Sequence, residues 1–488
     1  MSQQKQSVIV IVCIAFILSL FVPTVTADDW TQFRGPNASG VSNDTGLPIH
    51  FGPDQNVIWR TELPPGHSSP VLTQNRIFVT AFQSNKLIVI CLDRASGKRI
   101  WQREMTKPRS QELHKSNSPA SPSPVTDGQN VYAFFTDFGL ISFDADGKER
   151  WRLPLGPFNN PFGMGTSPIL AEGNLLLNCD SETDSFFLAV DKNTGKVKWR
   201  QERPEATRGF ATPVLYQPAK GSLQVLVAGS LRLSAYEVAT GREVWWIRGL
   251  TWQIKPTPVF GRDSLYILGW AGGADPGQQE DVPPLEEILK KLDANKDGKL
   301  AKEELDDQRI KKDWESFDLD RDGFLNDRDW RAYRAKRSVQ NGVLAYRIDN
   351  QKEMRGDLTE SHLLWRYQKS LPNVPSPLFY RDVVYLLKEG GILTSLDPKT
   401  GAVLKQARLR DAPGDYFASP VGADGKIFTL SHEGKLTVLK AGGDWEILAV
   451  NVLDDLCNAT PAIVGGRIYL RTHSALYCFG KRDEAKSS

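Results

Sequence analysis

The sequence predicts an all-β fold: an eight-bladed β-propeller closed by an N-terminal strand and carrying a small α-helical insertion. Three observations predict it. A unit of about 42 residues recurs through most of the chain, a period that belongs to propellers and solenoids. The last unit runs out before its fourth strand, while a strand-like segment near the N-terminus stands without a unit of its own. Residues 271–341, acidic and helical in composition, break the pattern inside the fifth unit.

Each unit opens with a small residue, proline and an apolar residue: Ser69-Pro70-Val71, Ser123-Pro124-Val125, Ser167-Pro168-Ile169, Thr212-Pro213-Val214, Thr257-Pro258-Val259, Ser376-Pro377-Leu378, Ser419-Pro420-Val421 and Thr460-Pro461-Ala462. Proline suits the start of a strand that need not donate there. A short turn and a β-rich strand follow, as in Arg76-Ile77-Phe78-Val79, and then a strand ending in an acidic residue before Ser-Gly or Thr-Gly. Four residues past that glycine stands a tryptophan, at Trp101, Trp151, Trp199 and Trp245. A four-stranded unit cannot bury both its faces alone, and radial packing against its neighbours does so. The tryptophan supplies an apolar plate for that joint and an indole N–H for a nearby carbonyl. Unit six puts Lys405 at the tryptophan position, and unit seven has Asp444-Trp445 after a Gly-Gly turn, which predicts weaker packing there.

The eighth unit ends near Cys478-Phe479-Gly480, and Val57-Ile58-Trp59-Arg60 reads as an orphan fourth strand. Pairing the two closes the ring and removes an exposed edge.

The ends and the composition bound the rest. Residues 1–27 read as a signal peptide: Lys5, an apolar run over 8–22, Pro23, then Val25 and Ala27 around a cleavage site. The apolar run is shorter than the roughly 20 residues of a spanning helix, so no transmembrane segment is expected after cleavage. Residues 28–55 form a leader, 56–270 and 342–480 the two parts of the propeller, 271–341 the insertion and 481–488 a polar tail. A net charge of +2 excludes a general nucleic-acid binder, which needs a concentrated positive field. Cys91, Cys179, Cys457 and Cys478 lack metal-type spacing, and Cys91 and Cys478 fall in apolar strand runs where a buried free thiol is expected.

The insertion contains two twelve-residue stretches, Asp293 to Glu304 and Asp318 to Asp329, that match the EF-hand calcium loop. Asp293, Asn295 and Asp297 supply side-chain oxygens at positions 1, 3 and 5, Lys299 a backbone carbonyl, and Glu304 the closing carboxylate. Asp318, Asp320, Asp322, the Phe324 carbonyl and Asp329 are their counterparts. Gly298 and Gly323 permit the turn, and Leu300 and Leu325 stand where paired loops form a β-bridge. Asp329 is one methylene shorter than Glu304 and predicts weaker calcium binding, or easier entry of Mg²⁺, at the second loop.

The opener, acidic turn and tryptophan resemble the pyrroloquinoline-quinone (PQQ)-type repeat over about residues 56–480. That family includes quinoprotein alcohol dehydrogenases and the non-enzymatic propeller of the outer-membrane protein assembly machinery. Asp29-Trp30-Thr31-Gln32-Phe33-Arg34-Gly35-Pro36 resembles the leader of exported propellers of planctomycete-type bacteria. The resemblance implies a periplasmic or secreted protein and admits two activities. The enzymes stack a quinone near the axis, hold a calcium ion beside it and use an acidic base, often under an adjacent Cys-Cys pair. No adjacent cysteines occur here, and no matching Glu, Asn or Asp positions support PQQ as a cofactor. The expected function is therefore a non-catalytic scaffold for a protein, glycan or envelope component, with a PQQ-dependent alcohol or sugar dehydrogenase as the alternative. The loops entering each opener should share one face around the channel. They carry His67, His114, Asn117, Phe162, Arg208, Trp252, Lys255 and Tyr416, a mixed aromatic and polar set suited to recognition.

Overall fold

Inner strands such as Arg76–Gln83 and Asn174–Cys179 are buried on both faces, whereas an outer strand such as Val197–Glu202 alternates. That gradient, apolar near the axis and amphipathic at the rim, is what stacks short sheets radially. The computed structural model describes residues 29–111, 113–348 and 353–481. It is a β-propeller of eight antiparallel blades. Blade one consists of Val71–Leu72, Arg76–Gln83, Lys86–Asp93 and Arg99–Thr106, and the following units repeat this order from their own openers. Blade five is completed across the insertion, which leaves from Ser264–Gly269 and returns at Gly342–Arg347, paired over six residues. Beyond it, Gly356–Asp357 adds a parallel fifth strand to the rim of blade four, beside Trp245–Trp246.

Closure occurs as the sequence predicts. Val57–Glu62 pairs antiparallel with Ala475–Phe479, with Trp59 opposite Cys478 and Arg60 opposite Tyr477. The signal segment 1–27 and most of the tail lie outside the described residues. Cys91, Cys179, Cys457 and Cys478, the four cysteines among the described residues, are free and buried. No helix among the described residues is long and apolar enough to cross a membrane.

The joints between blades explain the glycine–tryptophan spacing. The indole N–H groups of Trp59, Trp101, Trp151, Trp199 and Trp365 donate to the carbonyls of Arg94, Ala145, Lys192, Val238 and Pro398, each in the next blade's turn. The same indole lies on that turn's glycine: a Cβ added to Gly195 (φ 74°) would stand 2.7 Å from the Trp151 ring. Glycine there serves both the left-handed backbone and the close approach of the ring. Blade six departs from this. Lys405 Nζ reaches Asp444 Oδ1 (2.7 Å) and the Trp445 carbonyl (2.7 Å) across the joint and lies over the Trp445 ring. Trp445, buried between blades six and seven, supplies the plate that position 405 lacks.

The leader is part of the fold. Trp30 bridges to Leu72, Val41 to Gly422, and the Thr126 N–H donates to the Thr31 carbonyl, all at the ends of first strands remote from the openers. Asn37 exchanges hydrogen bonds with Leu215 of blade four. The leader thus crosses the far end of the axial channel, and its tip at Phe33-Arg34 enters it. Arg34 is fully buried; Nη2 donates to the Pro377 carbonyl (2.9 Å), and burial lowers the guanidinium pKa to about 9.

Candidate functional site

The residue before each opener proline has a role that sequence reasoning missed. The Ser69 N–H donates to Ser123 Oγ, Ser123 to Ser167, and Ser167 to Thr212. Thr257 continues to Ser376, Ser376 to Ser419, Ser419 to Thr460, and Thr460 back to Ser69. These links lie at 2.9–3.2 Å and run around the axis. Between blades four and five the connection takes another form, a short parallel pairing of Arg208–Gly209 with Gln253–Ile254. Serine or threonine in all eight openers was the available signal; it reads simply as a small residue until the ring is seen.

The ring of hydroxyls lines a cavity of about 410 Å³ at the channel mouth. Phe33 of the leader also lines it, so the tip that enters the far end bounds the same space. Of the residues expected on this face, His67, His114, Asn117, Phe162 and Lys255 line the cavity. Asn117 Nδ2 donates to the Phe162 carbonyl (2.5 Å), and the His114 and Phe162 rings lie 5.6 Å apart. Burial, with Arg471 nearby, brings the His67 pKa down to about 4, so its imidazole is neutral at physiological pH. Lys255 Nζ donates to Asn373 Oδ1 (2.8 Å) and Gln253 Oε1 (3.2 Å), and burial lowers its pKa to about 8.

The other three expected residues lie elsewhere. Tyr416 is buried off the cavity, its hydroxyl donating to the Ala412 carbonyl (2.7 Å), and the neighbouring Phe417 lines the cavity instead. Arg208 forms a buried ion pair with Glu182 and lies over the rings of Phe162 and Trp252. Trp252 in turn lies under Lys336 of the insertion. Arg208 and Trp252 therefore join the mouth of the ring to the inserted module.

That module has three helices, α1 (Leu285–Leu292), α2 (Gln308–Lys312) and α3 (Asp327–Ser338), around a core of Leu285, Leu300, Leu305, Ile310, Leu325, Trp330 and Tyr333. The segment between the loops is short, as its length requires. Leu300 pairs with Leu325 and Ala301 with Phe324 in a two-stranded bridge. In each loop the first aspartate accepts from backbone N–H groups inside the turn, Asp293 from Gly298 (2.9 Å) and Asp318 from Gly323 (2.9 Å). The closing carboxylates bind backbone at both ends of their loops: Glu304 to Ala294 and Ala301, Asp329 to Leu319 and Asn326. Oxygens of Asp318, Asp320 and Asp322 lie within 4.8 Å of one another. Three carboxylates so close are the hard-oxygen donor set that suits a divalent cation such as calcium. The second loop also touches the ring, where Asn159 Nδ2 donates to the Leu319 carbonyl (2.6 Å).

The cavity offers a different donor set. Its lining has hydroxyls, amides, two imidazoles, one ammonium and aromatic rings, but neither Asp nor Glu. It lacks a carboxylate to hold calcium beside a quinone or to take a substrate proton, so the residues present do not fit a calcium-held quinone.

A family model described as outer membrane protein assembly factor BamB matches residues 49–161, 85–274 and 338–487, well over half of the chain. Comparison with curated protein sequences finds no match. Among solved structures, BamB from Moraxella catarrhalis aligns with a TM-score of 0.54 at 14% identity, covering 87% of this chain and 99% of that one. A europium-containing methanol dehydrogenase aligns with a TM-score of 0.59 at 10% identity, covering 93% and 98%. The quinohemoprotein alcohol dehydrogenase from Comamonas testosteroni aligns with a TM-score of 0.55 at 13% identity, covering 94% and 82%. At these identities the structural likeness establishes the fold alone.

Proposed function

The chain belongs to the family of outer membrane protein assembly factor BamB, and within it we propose an exported, calcium-binding propeller that acts as a non-catalytic binding scaffold in the cell envelope. One observation carries the reading: the cavity at the channel mouth is lined by recognition groups and by no carboxylate. Its volume falls within the roughly 300–1,000 Å³ of small-ligand sites. Aromatic walls with a few polar groups bind and orient a partner moiety, and a site without an acidic base lacks the means to oxidise an alcohol in the manner of a quinoprotein. The partner is a protein, a glycan or another envelope component that presents one group to this cavity. Calcium in the two loops acts structurally, holding the inserted module beside the mouth.

The signal-like N-terminus supports export to the periplasm or beyond. The dehydrogenase reading rests on the two solved dehydrogenases that share the fold. Titration of the purified protein with pyrroloquinoline quinone in calcium separates the two. The scaffold reading expects neither a spectral change nor dye-linked oxidation of alcohols or sugars; turnover overturns it.

A further inference from the structure

The direction of the hydrogen bonds around the channel says what the cavity wants. Seven opener hydroxyls each accept an N–H from the preceding blade, which occupies oxygen lone pairs and leaves the O–H proton to give away. None of these hydroxyls donates to a protein acceptor among the described residues. The cavity is thus ringed by unspent donors. Lys255 adds a cation hydrogen-bonded to two neutral amide oxygens and set over the Trp270 ring, with no carboxylate within ion-pair distance among the described residues and Glu389 acting on it from further away. His114 accepts at Nδ1 from the Ser116 N–H (3.2 Å), which leaves Nε2–H as a further donor.

A half-enclosed cation with no carboxylate in direct contact, under a ring of donors, is a site for an acceptor-rich anion. The walls narrow the class. Phe162, Phe210, Trp270 and Phe417 give the walls aromatic surface for a ring-shaped body, and the amide of Asn458 can both donate and accept. A bare inorganic anion would leave those walls unused, while a body bearing its own hydroxyls matches an amide that works in both directions. Resting on the scaffold reading, we infer that the cavity receives an acidic sugar unit, its carboxylate or sulfate directed to Lys255 and the hydroxyl ring. The unit arrives either as a free monosaccharide or as the end of an envelope polysaccharide.

The test is calorimetry on the full calcium-loaded chain with glucose, glucuronate, glucose 6-sulfate and short glucuronate-ended oligosaccharides. The expected result is binding of the acidic sugars at least about tenfold tighter than glucose. In Lys255→Met that preference should disappear while the unfolding temperature stays within a few degrees of the parent. Phe210→Ala should weaken acidic and neutral sugars alike, which separates stacking from charge recognition, since no cation lies over that ring among the described residues. Tighter binding of the oligosaccharides than of glucuronate assigns the polysaccharide source, and equal binding the free sugar. Equal affinity for glucose and glucuronate, or a preference that survives Lys255→Met, overturns the inference and leaves the scaffold reading standing. Quinone-dependent turnover would instead sink the scaffold reading.

Discussion

Blades one to three and the inserted module are both made of short units repeated in sequence, and both depend on a glycine at positive φ. In the blades that glycine receives an indole from the neighbouring unit, so each turn is also an apolar joint. In the module, a Cβ at Gly298 or Gly323 would meet nothing within 4 Å, and the turns are held instead by carboxylates bound to backbone N–H groups. The ring is consequently sealed by burial, which is indifferent to ions. The module gathers negative charge, which on the calcium-binding reading a cation offsets. One local conformation thus serves two kinds of stability, and what differs is the neighbour placed over it.

The largest effect that can break this comparison is at a blade joint. Trp151→Ala removes a buried plate and its N–H donor, and should cost about 3–5 kcal/mol in chemical denaturation, while calcium affinity of the folded fraction stays unchanged. A cost below about 1 kcal/mol would mean that the joints do not hold the ring. Next comes chelation. Removing calcium should expose residues 271–341 to limited proteolysis at least tenfold faster, with cleavage elsewhere unaffected, because among the described residues it is the module that sets three carboxylates against one another. Equal acceleration in the blades would erase the distinction.

A smaller contrast lies between the two loops. Glu304→Ala should cost more calcium affinity than Asp329→Ala, since the longer side chain can offer both oxygens to the ion. Calorimetry giving the reverse order would show that docking of the second loop through Asn159, and not ligand reach, sets affinity.

The smallest effect concerns the contact between ring and module. Lys336 is buried on α3, its Nζ donating to the Ser316 carbonyl (3.1 Å) over the rings of Trp252 and Phe317, with Arg208, Glu182 and Asp329 as the charges around it. Burial lowers its pKa to about 7. Between that value and its ordinary 10.5 the unfolded chain holds a proton that the folded one does not, so stability rises with pH across this window. Below about 7 the buried charge carries its full cost. Lys336→Met should therefore raise the melting temperature by a few degrees at pH 6 and progressively less towards pH 10. An unchanged difference across that range would remove Lys336 from the titration.

The ring was legible because repetition turns weak signals into a pattern: eight openers, four spaced tryptophans and one orphan strand define blades and closure together. The insertion was legible because the ligand spacing of its loops is itself a geometric demand. The site was less so. His67, His114, Asn117, Phe162 and Lys255 could be placed at the mouth, since their loops had to lie on one face. Tyr416 could not be told from Phe417, because adjacent loop residues point opposite ways and no period says which faces in. The leader tip was illegible, as Phe33 and Arg34 occur once, outside any repeat, and their place on the axis comes from contacts with blades hundreds of residues away. The opener hydroxyls lay in view, but their role is a relation between blades that no single unit displays.

The closing pair of strands also governs the order in which the molecule can be made. Arg60 and Tyr477, hydrogen-bonded side by side, stand 417 positions apart. Bringing such distant segments together carries a loop-closure entropy of about 5 kcal/mol, which grows only slowly with length. Chain length itself is therefore not the obstacle; waiting is. Val57–Glu62 emerges before any blade, and its mate, Ala475–Phe479, emerges at the end of the last one. Until that moment Val57–Glu62 and the unfinished blade eight both present open edges, the form most prone to pair with another molecule. A chain cut just short of residue 475 would keep nearly all of its blades and still be expected to associate through those edges, so the last strand determines whether the product stays a single molecule.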